Sequence, residues 1–478
     1  MSTGKPTRTL RTDYLARVEG EGAMYVSLKG DEVLDVKLRI YEPPRFFEAL
    51  LRGRAHTEAP DITSRICGIC PIAYQISALR AIEAACGVVI DSGPIRDLRR
   101  LIYCGEWIES LGLHVYLLHA PDFLGYPGFV EMARDHPQVA ERGLKLKKAG
   151  NTIVSVVGGR EIHPVNLRVG GFYRAPTRAE LRKLVDPLEQ AREIAVETVR
   201  WTAGFTFPGV DWDPELVALS DPDGYPIDLG RIVSSRGIDI TPAEFAAYVV
   251  EEHVEHSNAL HARIRERGSY LTGPLARYNL FFDRLGSLAQ GAAREAGIAG
   301  KCLNPFQSIV VRSVEILQAL DEALAIIDRY QPPDRPAVDV TPRYAVGHGA
   351  TEAPRGMLYH RYAIDEDGTI FDARIVPPTS QNQRAIEEDL RAVVQRNVDL
   401  PDDELRHRCE QAIRNHDPCI SCATHFLDLT VDRSLAAVAT GVGDRGRQRP
   451  ARRRRRRPGA GPPSGAAPER RRRRRASR

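Results

Sequence analysis

The sequence predicts a predominantly helical α+β fold, and three observations carry that prediction. Apolar and polar positions alternate over residues 1–40. Apolar residues recur at helical spacing from about residue 71 onward. Two Thr-x-x-Glu capping signals stand in the middle of the chain, each opening a helical pattern.

In chain order, Met24, Val26 and Leu28, then Val33, Val36 and Leu38, read as short antiparallel strands punctuated by Gly20, Gly22 and Gly30. Ile72, Ile76, Leu79 and Ile82 predict a core helix that begins just after Cys70. Thr177-Arg-Ala-Glu180 opens an amphipathic stretch expected to run through Trp201. Thr241-Pro-Ala-Glu244 repeats the device, with Pro at the first helical position. A long helix is expected over Phe306–Tyr330, stopped by Gln331-Pro-Pro. Residues 338–375 turn β-like, with a hairpin at Asp365-Glu-Asp-Gly368. Helices follow over Asn382–Val394 and into Asp417-Pro418.

Composition bounds the function. The chain has 478 residues, 42% hydrophobic and 27% charged, as in ordinary globular proteins. No apolar run is long enough to span a bilayer, and the N-terminus has no signal-peptide core, so no membrane association is expected. The total charge of +4 divides unevenly: after His425 there are 17 Arg against 4 acidic residues, a balance of +13, which leaves −9 for the first 425 residues. An acidic body argues against nucleic acid as a partner. Residues 441–478 are nearly all Arg, Gly, Pro, Ala and Ser, a composition with nothing to bury, expected to be disordered. No Walker loop or G-x-G-x-x-G is present, so nucleotide binding by this chain is unsupported.

The chemistry-bearing motifs are two Cys-x-x-Cys pairs, Cys67/Cys70 in R-I-C-G-I-C-P and Cys419/Cys422 in D-P-C-I-S-C-A-T-H. Four of the eight cysteines in metal-type pairs speak against a disulfide framework and for a reducing, cytoplasmic setting. Four converging thiolates make a soft site for nickel, iron, copper(I) or zinc. Spacing alone leaves a structural four-cysteine zinc site open, although zinc pairs usually lie tens of residues apart rather than the 349 that separate Cys70 from Cys419. Cys86, Cys104, Cys302 and Cys409 have no partners at ligand spacing and read as buried or incidental thiols.

At these motifs the chain resembles the large, catalytic subunit of nickel–iron hydrogenases. Arg65-Ile-Cys67-Gly-Ile-Cys70 and Asp417-Pro-Cys419-Ile-Ser-Cys422-Ala-Thr-His425 match that family's N- and C-terminal motifs. Arg17-Val-Glu19-Gly20, Gly158-Gly-Arg160 with His163-Pro164 and Gly170-Gly171, and Glu352-Ala-Pro354-Arg355-Gly356 resemble further family segments, so that the likeness covers about residues 13–425. The C-A-T-H-F-L ending is most similar to the cytosolic bidirectional NAD(P)-linked, sulfhydrogenase-like branch.

The resemblance implies a hydrogenase large-subunit fold over residues 1–425, a segment 426–440 removed on maturation, and a disordered tail. It implies that Cys67 and Cys419 bind nickel terminally and that Cys70 and Cys422 bridge nickel to an iron carrying carbonyl and cyanide. Glu19 would relay protons, Pro354 and Arg355 would lie over the open face, and Asp122 and Asp417 would stand behind the ligands. Glu48 and His425 would help hold a magnesium or iron ion near the buried C-terminus. The reaction implied is reversible: H2 to two protons and two electrons. Heterolytic splitting needs a Lewis-acidic metal and a nearby base, and a permanently charged Arg suits a pocket holding small anions. Electrons would leave through a small iron–sulfur subunit to FAD and NAD(P) on further subunits, and maturation factors with a C-terminal endopeptidase would build the site. Deazaflavin or sulfur as electron acceptor, or a non-catalytic assembly protein with a zinc site, are the alternative readings.

Overall fold

The computed structural model describes residues 7–210 and 212–425. The expectations for residues 426–440 and 441–478 lie outside them. The chain opens with the expected strands, Thr7–Thr12, Gly22–Lys29 and Glu32–Ile40, in one antiparallel sheet. Met24, Val26, Leu28 and Leu38 are fully buried, which is why this sheet shows clean alternation in sequence.

The helical core follows. Pro71–Cys86 is the helix that Ile72, Ile76, Leu79 and Ile82 predict, and all four are buried. It lies across the strand Ala345–Ala353 so closely that a Cβ on Gly347 would run into the Ala81 carbonyl. Two further helices, Gly93–Leu113 and Pro137–Gly158, pack on each other, and the first also packs on Ser308–Arg329. Neither shows plainly in the sequence. In Gly93–Leu113 the buried face carries charges that blur the 3.6-residue period. Arg99 pairs with Glu83 at 2.6 Å, and Arg100 pairs with Asp221 at 2.7 Å. Buried and paired, these residues look like a solvated face when read from sequence.

Both capping boxes form, but neither opens the helix expected of it. Thr177 and Glu180 cap each other, yet the helix stops at Arg182 and resumes over Val185–Ala203. Pro187 has no N–H to give the Lys183 carbonyl, so the ladder breaks there. Thr241 and Glu244 cap only a 3-10 turn and the four-residue helix Phe245–Tyr248. Beyond it Val249–Val254 pairs antiparallel with Ser257–Ile264, and strand pairing of β-branched residues overrides the helix signal.

The C-terminal half otherwise follows expectation. Ser308–Arg329 is the long helix before Gln331-Pro-Pro. The β-like region is a meander of Ala345–Ala353, Gly356–Ile364 and Ile370–Val376. Its second turn is the expected hairpin, closed by Asp365 Oδ1 accepting from Thr369 N at 2.7 Å. Helices Pro378–Arg396 and Asp402–Asn415 lead to the second cysteine motif. Among the described residues no helix is long and apolar enough to cross a membrane.

Candidate metal centre

Each cysteine pair sits where a regular element ends. Cys67 follows a 3-10 turn, and Cys70 is the N-cap of Pro71–Cys86. Pro71 at the first helical position gives up no hydrogen bond, because that N–H would have no intrahelical partner. The next two N–H groups, on Ile72 and Ala73, donate to the buried carboxylate of Glu106 at 2.6 and 3.1 Å. The second pair is reached after Asp402–Asn415, where Asp417 adopts a left-handed φ of 51° and turns the chain inward. Cys419 N donates to Thr379 Oγ1 at 3.0 Å, and Ile420 N donates to Glu19 O at 2.9 Å. Glu19 and Cys419 thereby form a parallel β-bridge between the two ends of the chain.

The fold brings the pairs together. All four sulfurs lie within 4.8 Å of one another, with Cys67–Cys419 at 3.5 Å, Cys70–Cys422 at 3.7 Å and Cys419–Cys422 at 2.8 Å. None of the four residues is more than 4% exposed. Hydrogen bonds from Cys419, Cys422 and Cys70 hold the Cys67 thiol well below the ordinary range, while burial pushes Cys419 up. Four sulfurs this close keep a negative charge only by sharing the remaining protons, and a soft divalent cation replaces those protons directly. The donor set therefore fits nickel or another soft metal.

Glu19 Oε2 accepts from Cys419 Sγ and from Ser421 N, each at 3.0 Å. Burial, then the nearby Cys67 sulfur, raises its pKa. Arg355 occupies the tight turn between Ala353 and Gly356. Its guanidinium donates to the Asp417 carbonyl at 3.1 Å, to Asp417 Oδ1 at 3.2 Å and to Ser110 Oγ at 3.1 Å. Burial works against its charge, but Asp417 and the cysteine sulfurs outweigh it and hold the pKa well up. The turn is wedged by Gly273, whose φ of 113° is open to glycine alone and whose Cβ would stand 2.7 Å from the Arg355 carbonyl. The Pro354 carbonyl accepts from Arg277 at 3.1 Å.

Of the expected residues outside the four cysteines, Glu19 is the one that hydrogen-bonds a sulfur among the described residues. Asp122 accepts from Arg414 at 2.7 and 2.8 Å and from Arg17 at 2.5 Å. These cations outweigh its burial and hold its pKa down. It anchors the segments leading into Glu19 and Cys419. Glu48 accepts from Ile375 N at 2.7 Å, and burial pushes it up to about 8. His425 is 1% exposed, with neither ring nitrogen hydrogen-bonded, and burial pushes it down to about 3. Two orphaned, buried imidazole nitrogens fit a ligand awaiting a cation. Among the described residues, though, Glu48 and His425 form no three-ligand group with another His, Cys, Asp or Glu.

Sequence reading missed Glu106, Ser110, Thr379 and Arg45. Arg45 donates to the carbonyls of Ile66 and Ser421, one residue before a cysteine in each motif. Nothing in the sequence tells a carbonyl clamp from a surface arginine. All eight cysteines are free. Cys104, Cys302 and Cys409 are buried as expected of incidental thiols, and Cys86 is partly so.

Known proteins are similar to this chain in sequence and fold. The family model described as nickel-dependent hydrogenase matches residues 45–142 and 293–425, which include all four cysteines. The sulfhydrogenase 1 subunit alpha of Pyrococcus furiosus is 33% identical over 425 residues, covering 87% of this chain and 98% of that one. The NAD-reducing hydrogenase HoxS subunit beta of Cupriavidus necator is 27% identical over 88% of this chain and 95% of its own. An NAD+-reducing [NiFe]-hydrogenase in the H2-reduced state superposes with a TM-score of 0.79 at 25% identity, over 87% of this chain and 99% of that one. With the cysteine site assembled and relatives similar along nearly their whole length, this chain belongs to the nickel-dependent hydrogenase family, as a large subunit.

Proposed function

We propose that this chain is the catalytic subunit of a reversible hydrogenase whose electrons pass to NAD(P) through partner subunits. The observation that carries the reading is the Glu19 carboxylate resting 3.0 Å from the sulfur of Cys419 in a buried four-cysteine cluster. Cys67, Cys70, Cys419 and Cys422 would together hold the nickel–iron centre. When bound, such a centre supplies the Lewis acid and the electron store for splitting H2.

The protein's own part is proton handling and exclusion of water. Cys419 Sγ hands a proton to Glu19 Oε2, which Ser421 N keeps in place. Burial raises the affinity of Glu19 for that proton toward that of a thiol, which keeps transfer reversible. Arg355, fixed by Ser110 and Asp417, presents a permanent positive charge to small anionic ligands. Asp122 holds Arg17 and Arg414 and thus positions Glu19 and Cys419. Glu48 and His425 would bind a magnesium or iron ion, for which the unpartnered His425 nitrogens are suited.

Electrons need an exit. Among the described residues, the four cysteines outside the centre join no metal-ligand group, so iron–sulfur clusters belong on a small partner subunit. A flavin subunit reducing NAD(P), a cytoplasmic location, and cutting after His425 by a C-terminal endopeptidase once maturation factors have loaded nickel complete the proposal. The names of the NAD-reducing relative and of the NAD+-reducing structural neighbour support the acceptor.

Metal analysis of the purified complex tests the reading. One nickel per chain, iron beyond the needs of the clusters, infrared bands of iron-bound carbonyl and cyanide, and H2-dependent NAD(P) reduction are expected. Zinc as the only metal would overturn it in favour of an assembly protein. Nickel with reduction of sulfur or a deazaflavin, but not of NAD(P), would overturn the acceptor alone.

A further inference from the structure

Among the described residues a second group meets the geometry of a metal site, far in sequence from the cysteines: His256, His261 and Glu387. One ligand atom from each lies within 4.8 Å of the other two. His256 stands in the turn between Val249–Val254 and Ser257–Ile264, His261 on the second of these strands, and Glu387 on the helix Pro378–Arg396. They line a cavity of about 250 Å3 shared with Val36, Val254, Arg384 and Arg391.

We propose that His256, His261 and Glu387 form a binding site for a zinc-class divalent cation that ties the Val249–Ile264 hairpin to the Pro378–Arg396 helix.

Four observations carry it. First, His261 is 1% exposed and its Nε2 has no hydrogen-bond partner, an uncommon state for a buried ring nitrogen unless it has a further ligand. Second, burial holds that imidazole neutral, pushing its pKa to about 4, and the neutral ring is the form that binds metals. Third, Glu387 Oε1 accepts from Leu38 N at 2.9 Å and lies 2.7 Å from His256 Nε2, so the carboxylate is already oriented by backbone. Fourth, each of the cavity's arginines has a partner outside the three residues. Arg384 donates to Glu252 at 2.5 Å and Arg391 to the Val33 carbonyl at 2.9 Å. Two imidazoles and a carboxylate are a common three-ligand set for zinc, with a fourth position left to water on the cavity side. Tetrahedral zinc wants its ligand atoms roughly 3.4 Å apart, so binding parts His256 from Glu387 slightly and draws His261 in.

The test uses the matured hydrogenase complex, whose cysteine site is already filled. It is dialysed against zinc, freed of unbound metal and analysed for metals and by zinc X-ray absorption. Wild type is expected to gain one zinc per chain, bound through two imidazoles and oxygen with no sulfur. His261→Gln and Glu387→Gln are expected to bind that zinc at least tenfold more weakly, with nickel content and H2 oxidation unchanged. Should either variant fail to fold, His256→Gln, on its part-exposed turn, carries the comparison. No added zinc in wild type, zinc bound through sulfur, or equal uptake by wild type and the folded variants would overturn the site.

Discussion

Asp122 binds Arg414 through both carboxylate oxygens, at 2.7 and 2.8 Å, and the pair is almost wholly shielded from water. Because Asp122 also holds Arg17, one carboxylate steadies both strands of the Glu19–Cys419 bridge. Asp122→Ala strands two cations, one fully buried, and is expected to cost about 3–5 kcal/mol of stability. Thermal unfolding of the purified subunit measures it. Asp122→Asn keeps part of the hydrogen bonding and is expected to fall between wild type and Ala. A change below about 1 kcal/mol in the Ala variant would remove Asp122 from its anchoring role.

Glu19→Gln keeps the shape of the side chain but cannot take a proton. Nickel, iron and fold are expected to be retained. Exchange between deuterium gas and solvent protons is expected to fall at least tenfold, about 1.4 kcal/mol in barrier. Full exchange with full metal content would move the relay to another group. Lost nickel would make Glu19 a structural residue.

Cys419→Ser and Cys422→Ser each replace a soft sulfur by a hard hydroxyl in a cluster at most 4% exposed. Nickel content and H2-dependent activity are both expected to disappear, measured by elemental analysis and gas uptake. A variant that kept its nickel would contradict the ligand assignment.

Gly273→Ala is the conservative probe of the Arg355 turn. The new Cβ meets the Arg355 carbonyl at 2.7 Å from a backbone that only glycine adopts freely. A loss of about 1–3 kcal/mol in stability is expected, with reduced turnover from a displaced guanidinium. Wild-type turnover at unchanged melting temperature would show that the turn gives way without cost.

What the sequence made legible follows a physical divide. Strands with one wet face, such as Glu32–Ile40, show their period, and short motifs fixed by chemistry, such as the cysteine pairs, announce themselves. Gly93–Leu113 did not, because Arg99 and Arg100 are buried with partners that lie far away or on another helix. The same limit hid Glu106, which serves the backbone N–H groups beside Cys70, and Thr379, which holds Cys419 N. The Thr241 box was legible and still misleading, since its local bonds form but strand pairing ends the helix at Tyr248. Asp122 was expected from likeness alone, and its pairing with two arginines was not legible.

The bridge between Glu19 and Cys419 also dictates an order of events during synthesis. Its partners are 400 residues apart, and the cysteines that face each other are 352 apart. Half of the cluster is thus made early, at the head of a helix that can pack as soon as its neighbours emerge. The other half leaves the ribosome near the end of the chain and closes a loop that spans almost the whole protein. Until that closure the first pair of sulfurs stands open. Afterwards none of the four has more than a sliver of surface, and nothing as large as a cluster-delivering protein could reach them. The segment carrying Cys419 and Cys422 works as a door that shuts once, and a metal has its widest access to the sulfurs before it shuts.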